Sequence, residues 1–308
     1  MRHWKLLLTL LTLLPSLCFA ADKIEQSPKK AIVLEISHYI SPATQDYIQR
    51  GIAYAEKEKA QAIIIQLNTI SGLDVSMRGI NEAIVTSPIP VIAYVYPKDA
   101  RVINAGLFIM YASHLAGMAS GTTIGTDSPA KKSSAEKKAT GDASAYMRSL
   151  AQFRGRNADW AELAIQQTAS LSAKEAKRQK VIDEVADDYP ALLKNMDGHN
   201  VLVQGIPEKI STKNLELQII APDWRYQFLS FLTHSATIYL LILVAFYGLL
   251  FEFSKPGFIL PGIIGGIALL LVLYSLWFTP LNYTALTLIA VGILLIIIEL
   301  IRENKKIK

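Results

Sequence analysis

Few side chains in this sequence are placed to do chemistry. His38, His199 and His234 are scattered and lack metal-ligand spacing. Asp127, Asp142 and Asp183 form no paired-carboxylate arrangement. A single cysteine, Cys18, excludes an intrachain disulfide and a cysteine-ligated cluster. No metal and no cofactor is expected, since a Walker loop and a dinucleotide fingerprint are both missing. Hydroxyls and amines remain. Lys131, Lys132, Lys137 and Lys138 crowd one polar segment. Mutual repulsion there would push a lysine towards the range of a base, whereas the plainer reading is an exposed basic loop. Ser71, Ser128, Ser133 and Ser134 fall in expected loops beside it.

Composition sets where such groups can work. Of 308 residues, 51% are hydrophobic and only 19% charged, against about 25% charged in an average soluble domain. A disordered chain is excluded and a purely soluble one disfavoured. The net charge of +5 is too diffuse to suggest nucleic acid.

The apolar residues gather at the two ends. Residues 1–20 read as a signal peptide, with Arg2, His3 and Lys5 before the run Leu6 to Leu14 and a small-residue cleavage site at Cys18-Phe19-Ala20. Residues 223–302 form a membrane domain of three transmembrane helices. Its runs are Ala236 to Phe251 (with a reach back to Phe228), Phe258 to Phe278, and Leu281 to Ile301. Residues 303–308 are a basic tail. A cleaved signal followed by three spans puts the N-terminal domain outside the cytoplasm and the C-terminus inside, as the basic tail requires. Gly262, Gly265 and Gly266 suit close helix packing.

Residues 21–222 must supply the frame that positions any site. Ala31 to Ile36, Ala62 to Leu67 and Pro90 to Tyr96 are short apolar runs of strand type, the last two nearly continuous as in strands buried on both faces. Between them lie helical stretches from Pro42, capped by Ser41, to about Ala60 and from Asp74 to Val85. Asn104 to Met118 reads as a third helix, with Asn104 as its N-cap, and Thr122 to Gly125 as a short strand. Ser128 to Gly141 has no large apolar residue and reads as a loop. Ala143 to about Ser170 is helical, Ser172 can cap a short helix, Val181 to Val185 is a short strand, Leu192 to Met196 is helical, and Val201 to Val203 opens a final β piece. Such alternation predicts an α/β domain with a mostly parallel sheet.

Several segments, in order, resemble the NfeD family of membrane-bound, ClpP-class serine proteases. They are Leu67-Asn68-Thr69-Ile70-Ser71-Gly72-Leu73, Tyr94 to Pro97 with Ala100 to Gly106, Ser113 to Ala119 with Gly121 to Gly125, Arg148 to Gln152 with Gly155-Arg156-Asn157, and Phe251-Glu252-Phe253 with Pro256 to Phe258 and Leu260-Pro261-Gly262. The resemblance implies a ClpP/crotonase-like ββα domain ahead of C-terminal membrane helices. It implies a Ser–Lys pair, with backbone N–H groups of a Gly-Gly turn binding the oxyanion. Implied partners are the membrane, a stomatin-like (SPFH) membrane protein, a peptide segment in the cleft, and further copies of the chain in a homo-oligomer.

The sequence departs from that pattern at the reacting atoms. The nucleophile position holds Asn104, the base position matches Lys138, and the oxyanion-binding positions hold Ser71 and Gly72, with Ile70 where the family has proline. A serine is useful only when a base activates it, and a carboxamide offers no such proton. Ser71 would take a positive-φ turn only at a cost. The expectation is therefore a pseudoprotease that binds peptide or scaffolds a stomatin-like partner. The alternative is an active endopeptidase, cleaving hydrophobic segments of membrane partners with Lys138 and another serine. His114 is expected to satisfy a buried polar contact or to face a neighbouring subunit.

Overall fold

The computed structural model describes residues 29–127, 134–254, 259–278, 287 and 291–292. The expected signal segment, the basic tail, nearly all of the third apolar run, Lys131 and Lys132, and Ser128 and Ser133 lie outside them.

Strand β1 (Lys30–Ile40), helix α1 (Pro42–Lys57), strand β2 (Ala62–Gly72), helix α2 (Asp74–Val85) and strand β3 (Val91–Val95) form a parallel ββα-type unit. The apolar runs are strands for the reason their sequence suggests. Ile32, Leu34, Ile63, Ile65, Val91 and Ala93 face one core, and Ala31, Val33, Ala62, Ile64, Ile92 and Tyr94 face another. Period-two alternation of apolar residues on both sides demands a sheet covered on both faces. Helix α1 begins as its sequence predicts: Pro42 stands in the first turn and the Ser41 hydroxyl accepts from Thr44 N–H.

Next come β4 (Arg101–Ile103), α3 (Ala105–Ala112), β5 (Leu115–Met118), β6 (Thr123–Gly125), α4 (Ser134–Phe153) and α5 (Ala158–Gln167). They are followed by β7 (Ser170–Ser172), α6 (Ala173–Arg178), β8 (Glu184–Val185), α7 (Tyr189–Met196), the hairpin β9 (Asn200–Val203) with β10 (Ile206–Lys209), and β11 (Glu216–Ile220). The main sheet runs β7-β6-β4-β2-β3-β5-β8, with β1 joining β2 to β11. Every pairing in it is parallel except β6 with β7. This is the mostly parallel architecture that the resemblance implied. β2 forks. Its residues 63–67 pair with β3, while Thr69 pairs with Val102 of β4.

Three expectations need correction. Asn104 to Met118 is not one helix: α3 ends at Ala112 and β5 follows. Residues 134–141 are helix rather than loop. The long helix from Ala143 breaks at 154–157, where Gly155 takes φ +67° and the Asn157 side chain caps α5 by accepting from Trp160 N–H.

Beyond β11, α8 (Trp224–Thr233) leads to α9 (Ser235–Ser254) and α10 (Ile259–Phe278). The first apolar run reaches back to Phe228 only across a bend, since α8 and the Ala236–Glu252 stretch stand at 70° to each other. Among the described residues no single helix is long and apolar enough to cross a membrane; the bent pair together has the length and apolar composition of a broken span or a re-entrant loop. α9 and α10 pack closely: a Cβ on Gly248 would come within 2.6 Å of the Pro261 carbonyl and 2.8 Å of Gly265 Cα.

Candidate functional site: the head of α3

Asn104 stands between the end of β4 and the start of α3, at φ 54° and ψ −111°. A non-glycine residue there is strained, at a typical cost of about 1–3 kcal/mol, and such strain gathers at functional sites. The surroundings fix the strain in place. Asn104 N–H donates to Gly125 O (3.0 Å), and Leu107 N–H donates to Asn104 O (3.0 Å). The Asn104 side chain does not cap the helix as its type suggested. Instead its Oδ1 accepts from Asp127 N–H (2.9 Å), and its Nδ2 points at Ile70 O at 3.5 Å. The carboxamide thus ties the end of β2 and the segment after β6 to the strained turn.

Two glycines bring the backbones together. A Cβ on Gly72 would lie 2.5 Å from Ile40 Cβ and 3.0 Å from Ala105 Cβ. A Cβ on Gly106 would lie 2.6 Å from Thr69 Cγ2 and 2.7 Å from Val102 Cγ1. The need for glycine at 72 is therefore close approach. Ser71 and Gly72 are not a positive-φ turn but the end of β2, paired with Tyr39 and Ile40 after a register shift at His38/Tyr39.

A cleft of about 590 Å³ opens at this point. Asn104, Ala105 and Phe108 form its floor with Gly72, while Asp74, Met77 and Arg78 of α2 and Ala139, Thr140, Asp142 and Ala143 of α4 contribute to its walls. Tyr146 holds the α4 wall. Its ring stacks on Phe108 at 5.8 Å, its hydroxyl accepts from Asn81 Nδ2 at 3.1 Å, and the Arg78 guanidinium lies 4.4 Å from its centroid. Of the residues singled out in the sequence, Asn104, Gly72 and Asp142 line this cleft together. Lys138 sits on α4 one residue before the lining begins and is exposed. Ser71 is exposed on β2. Ser134 opens α4.

The far end of α3 is built differently. Arg156, whose side chain is only 4% exposed, donates to Met110 O (2.8 Å), Tyr111 O (3.3 Å), Ser113 O (3.0 Å) and His114 O (3.4 Å), and pairs with Asp183 (2.9 Å). Arg154 Nε donates to Ala112 O at 2.7 Å. Cations here complement the helix dipole and satisfy its last carbonyls. His114 is buried and its Nδ1 accepts from Val91 N–H at 3.1 Å, which places the proton of the neutral ring on Nε2. Burial, with the Arg154 and Arg156 charges adding to it, pushes its pKa down to about 3. His114 is thus a neutral buried contact, as its sequence setting suggested.

Sequence reasoning missed Gly106, Phe108 and Tyr146 as builders of the site. Gly106 alone carried a readable signal, being a glycine inside a helical pattern. Among the described residues no group of three or more His, Cys, Asp or Glu side chains could hold a metal ion.

Residues 30–193 match the model for the N-terminal domain of NfeD1b, more than half of the chain, and residues 236–304 match the NfeD integral membrane domain. The chain belongs to the NfeD family. This NfeD protein is 36% identical over 276 residues to the membrane-bound protease PH1510 of Pyrococcus horikoshii, and 26% identical over 272 residues to the membrane protein NfeD1b of Bacillus subtilis. Each alignment takes in 87% of this chain but only 63% and 61% of those relatives. Its structure is similar to that of 1510-N, a membrane-bound stomatin-specific protease solved as a lysine-to-alanine mutant in complex with a substrate peptide. The TM-score is 0.61 at 36% identity, covering 66% of this chain and 97% of that one. The molecule is accordingly a membrane protein with a protease-like domain of ClpP type.

Proposed function

We propose that this NfeD protein binds an extended apolar segment of a stomatin-like membrane partner in the α3 cleft and does not cleave it efficiently. The observation that carries this reading is Asn104. An amide occupies the strained turn at the cleft floor, and both of its polar atoms face the backbones of neighbouring segments. A carboxamide cannot be deprotonated by a lysine near neutral pH, and loss of a covalent nucleophile lowers rate by orders of magnitude. What survives is a cleft with an apolar floor of Ala105 and Phe108, flanked by Met77, of the kind that receives an apolar side chain.

In this reading residues 1–20 are removed as a signal, residues 21–222 form the cleft domain outside the cytoplasm, and residues 223–302 anchor it with three spans. Lys138 and the N–H groups near Ser71 and Gly72 hold the positions of base and oxyanion donors. The relatives' lengths leave room for a further domain beyond the matched region.

The test uses the purified full-length protein and apolar peptides carrying a photoreactive phenylalanine. Crosslinks to Met77 or Phe108 without peptide cleavage are expected, and crosslinks confined to other surfaces would overturn the peptide-binding reading. Asn104→Ser should then introduce slow cleavage that Lys138→Ala abolishes in the same background. An Asn104→Ser variant that cleaves equally well without Lys138 would remove Lys138 from the account.

A further inference from the structure

Helix α8 carries an exposed aromatic stripe. Trp224, Phe228 and Phe231 are 70%, 51% and 59% exposed. At 100° per residue they fall within about 60° of one another around the helix. The opposite side of α8 is committed to the cleft domain. Tyr226 meets Tyr47 of α1 edge-to-face at 5.7 Å. Asp223, which caps α8 by accepting from Tyr226 N–H, forms a bidentate pair with Arg50 at 2.8 and 3.0 Å. The Tyr47 hydroxyl donates to Ile220 O at 2.5 Å. Towards the membrane helices, the buried Ser275 hydroxyl of α10 donates to Leu232 O at 2.8 Å.

We propose that α8 is an interfacial helix. It lies in the headgroup layer of the bilayer, with Trp224, Phe228 and Phe231 inserted at the acyl boundary, and it sets the height and tilt of the cleft above the membrane. Three observations select lipid as the occupant of this stripe. The match to the integral membrane domain starts at residue 236, three residues beyond the end of α8, so the stripe is continuous with the membrane region. The 70° bend between α8 and the following helix turns α8 towards the membrane plane if that helix runs along the normal. The chemistry fits the interface as well, since aromatic rings collect at headgroup depth, and Arg225 beside Trp224 (5.8 Å from the ring centroid) supplies a cation for lipid phosphates. The Arg50–Asp223 fork and the Tyr47 contacts make the coupling rigid. They join α8 to α1, whose parent strand β1 ends at Ile40 against Gly72 of the cleft.

The test uses the full chain with Cys18→Ser, reconstituted in nanodiscs of phosphatidylcholine and phosphatidylglycerol. Spin labels are placed at Phe228→Cys and Phe231→Cys, with Glu208→Cys on exposed β10 as the aqueous reference. The labels on α8 should meet dissolved oxygen several-fold more readily than a water-soluble nickel chelate, and the reference label should show the reverse. Nickel access at 228 and 231 equal to that at 208 would overturn the proposal. Shielding from both reagents would also overturn it, by placing a second copy or another protein over the stripe. For the coupling, Asp223→Ala should broaden the distances from a Glu208→Cys fluorophore to headgroup-labelled lipid without moving the thermal midpoint of the cleft domain. An unchanged distribution would contradict the rigid tie.

Discussion

The two ends of α3 were built under opposite rules. At its tail, Arg156 and Arg154 satisfy five of the surrounding carbonyls, Asp183 pairs with the Arg156 guanidinium, and His114 is sealed in as a neutral ring. At its head the backbone is strained, the side chain belongs to a residue type that cannot start acyl transfer, and the surface opens into a cleft. The tail is expensive to disturb. The head holds a costly conformation at the position where the resemblance implies a nucleophile.

Variants that break this contrast should differ in size and even in sign. Arg156→Met leaves Asp183 and four carbonyls without their cation. Removing one partner of a buried pair typically costs about 3–5 kcal/mol. Thermal unfolding should show the midpoint falling by roughly 10 °C, at about 2–4 °C per kcal/mol for a domain of this size. An unchanged midpoint would mean that the tail is not the anchor described here.

Acid acts on the same end. The pKa of His114 is lowered from 6.5 to about 3 on folding, so the unfolded chain takes up the proton first. The stability owed to the neutral ring is complete above pH 6.5 and drains away as pH falls from 6.5 towards 3, with a slope approaching about 1.4 kcal/mol per pH unit. Chemical denaturation at several pH values should reveal this slope, and His114→Gln should flatten it.

The head responds less. Gly72→Ala forces a methyl group against Ile40 and Ala105, and overpacking of this kind costs about 1–3 kcal/mol. Peptide binding should weaken with it, because the β1 side of the cleft must shift, and titration with a fluorescent peptide checks both effects together with a melt. Asn104→Gly is the smallest change and has the opposite sign. It relieves the positive-φ strain but loses the bond to Asp127 N–H, for a net gain of about 0.5–1 kcal/mol. A loss of stability would show that the amide contacts outweigh the strain.

Much of the frame was legible in the residues. Strands with unbroken apolar runs can hardly be anything else between polar caps, and Ser41-Pro42 marked the start of α1. The passage from α3 to β5 was not legible, because Ala105–Ala112 is buried on every side and a helix without a polar face has no period to read. The opening of α4 was missed for the converse reason. Ser134 to Gly141 contains no large apolar residue, yet its alanines, lysines and glutamate favour helix. The strained turn at Asn104 was half legible. The position of Asn104 could be read, but the standard use of asparagine as a cap concealed a turn in which the side chain looks backwards to Asp127 and Ile70. Of the two reasons that glycine at such a turn suggests, positive φ and close backbone approach, only the close approach holds at Gly72.

The central claim is that no side chain in the cleft forms an acyl intermediate. Intact-mass spectrometry of the wild-type membrane protein after exposure to a fluorophosphonate ester measures this directly. The account predicts an unmodified mass for wild type and a single adduct for Asn104→Ser. A stoichiometric adduct on the wild-type chain, mapped to any serine or threonine bordering the cleft, would contradict it.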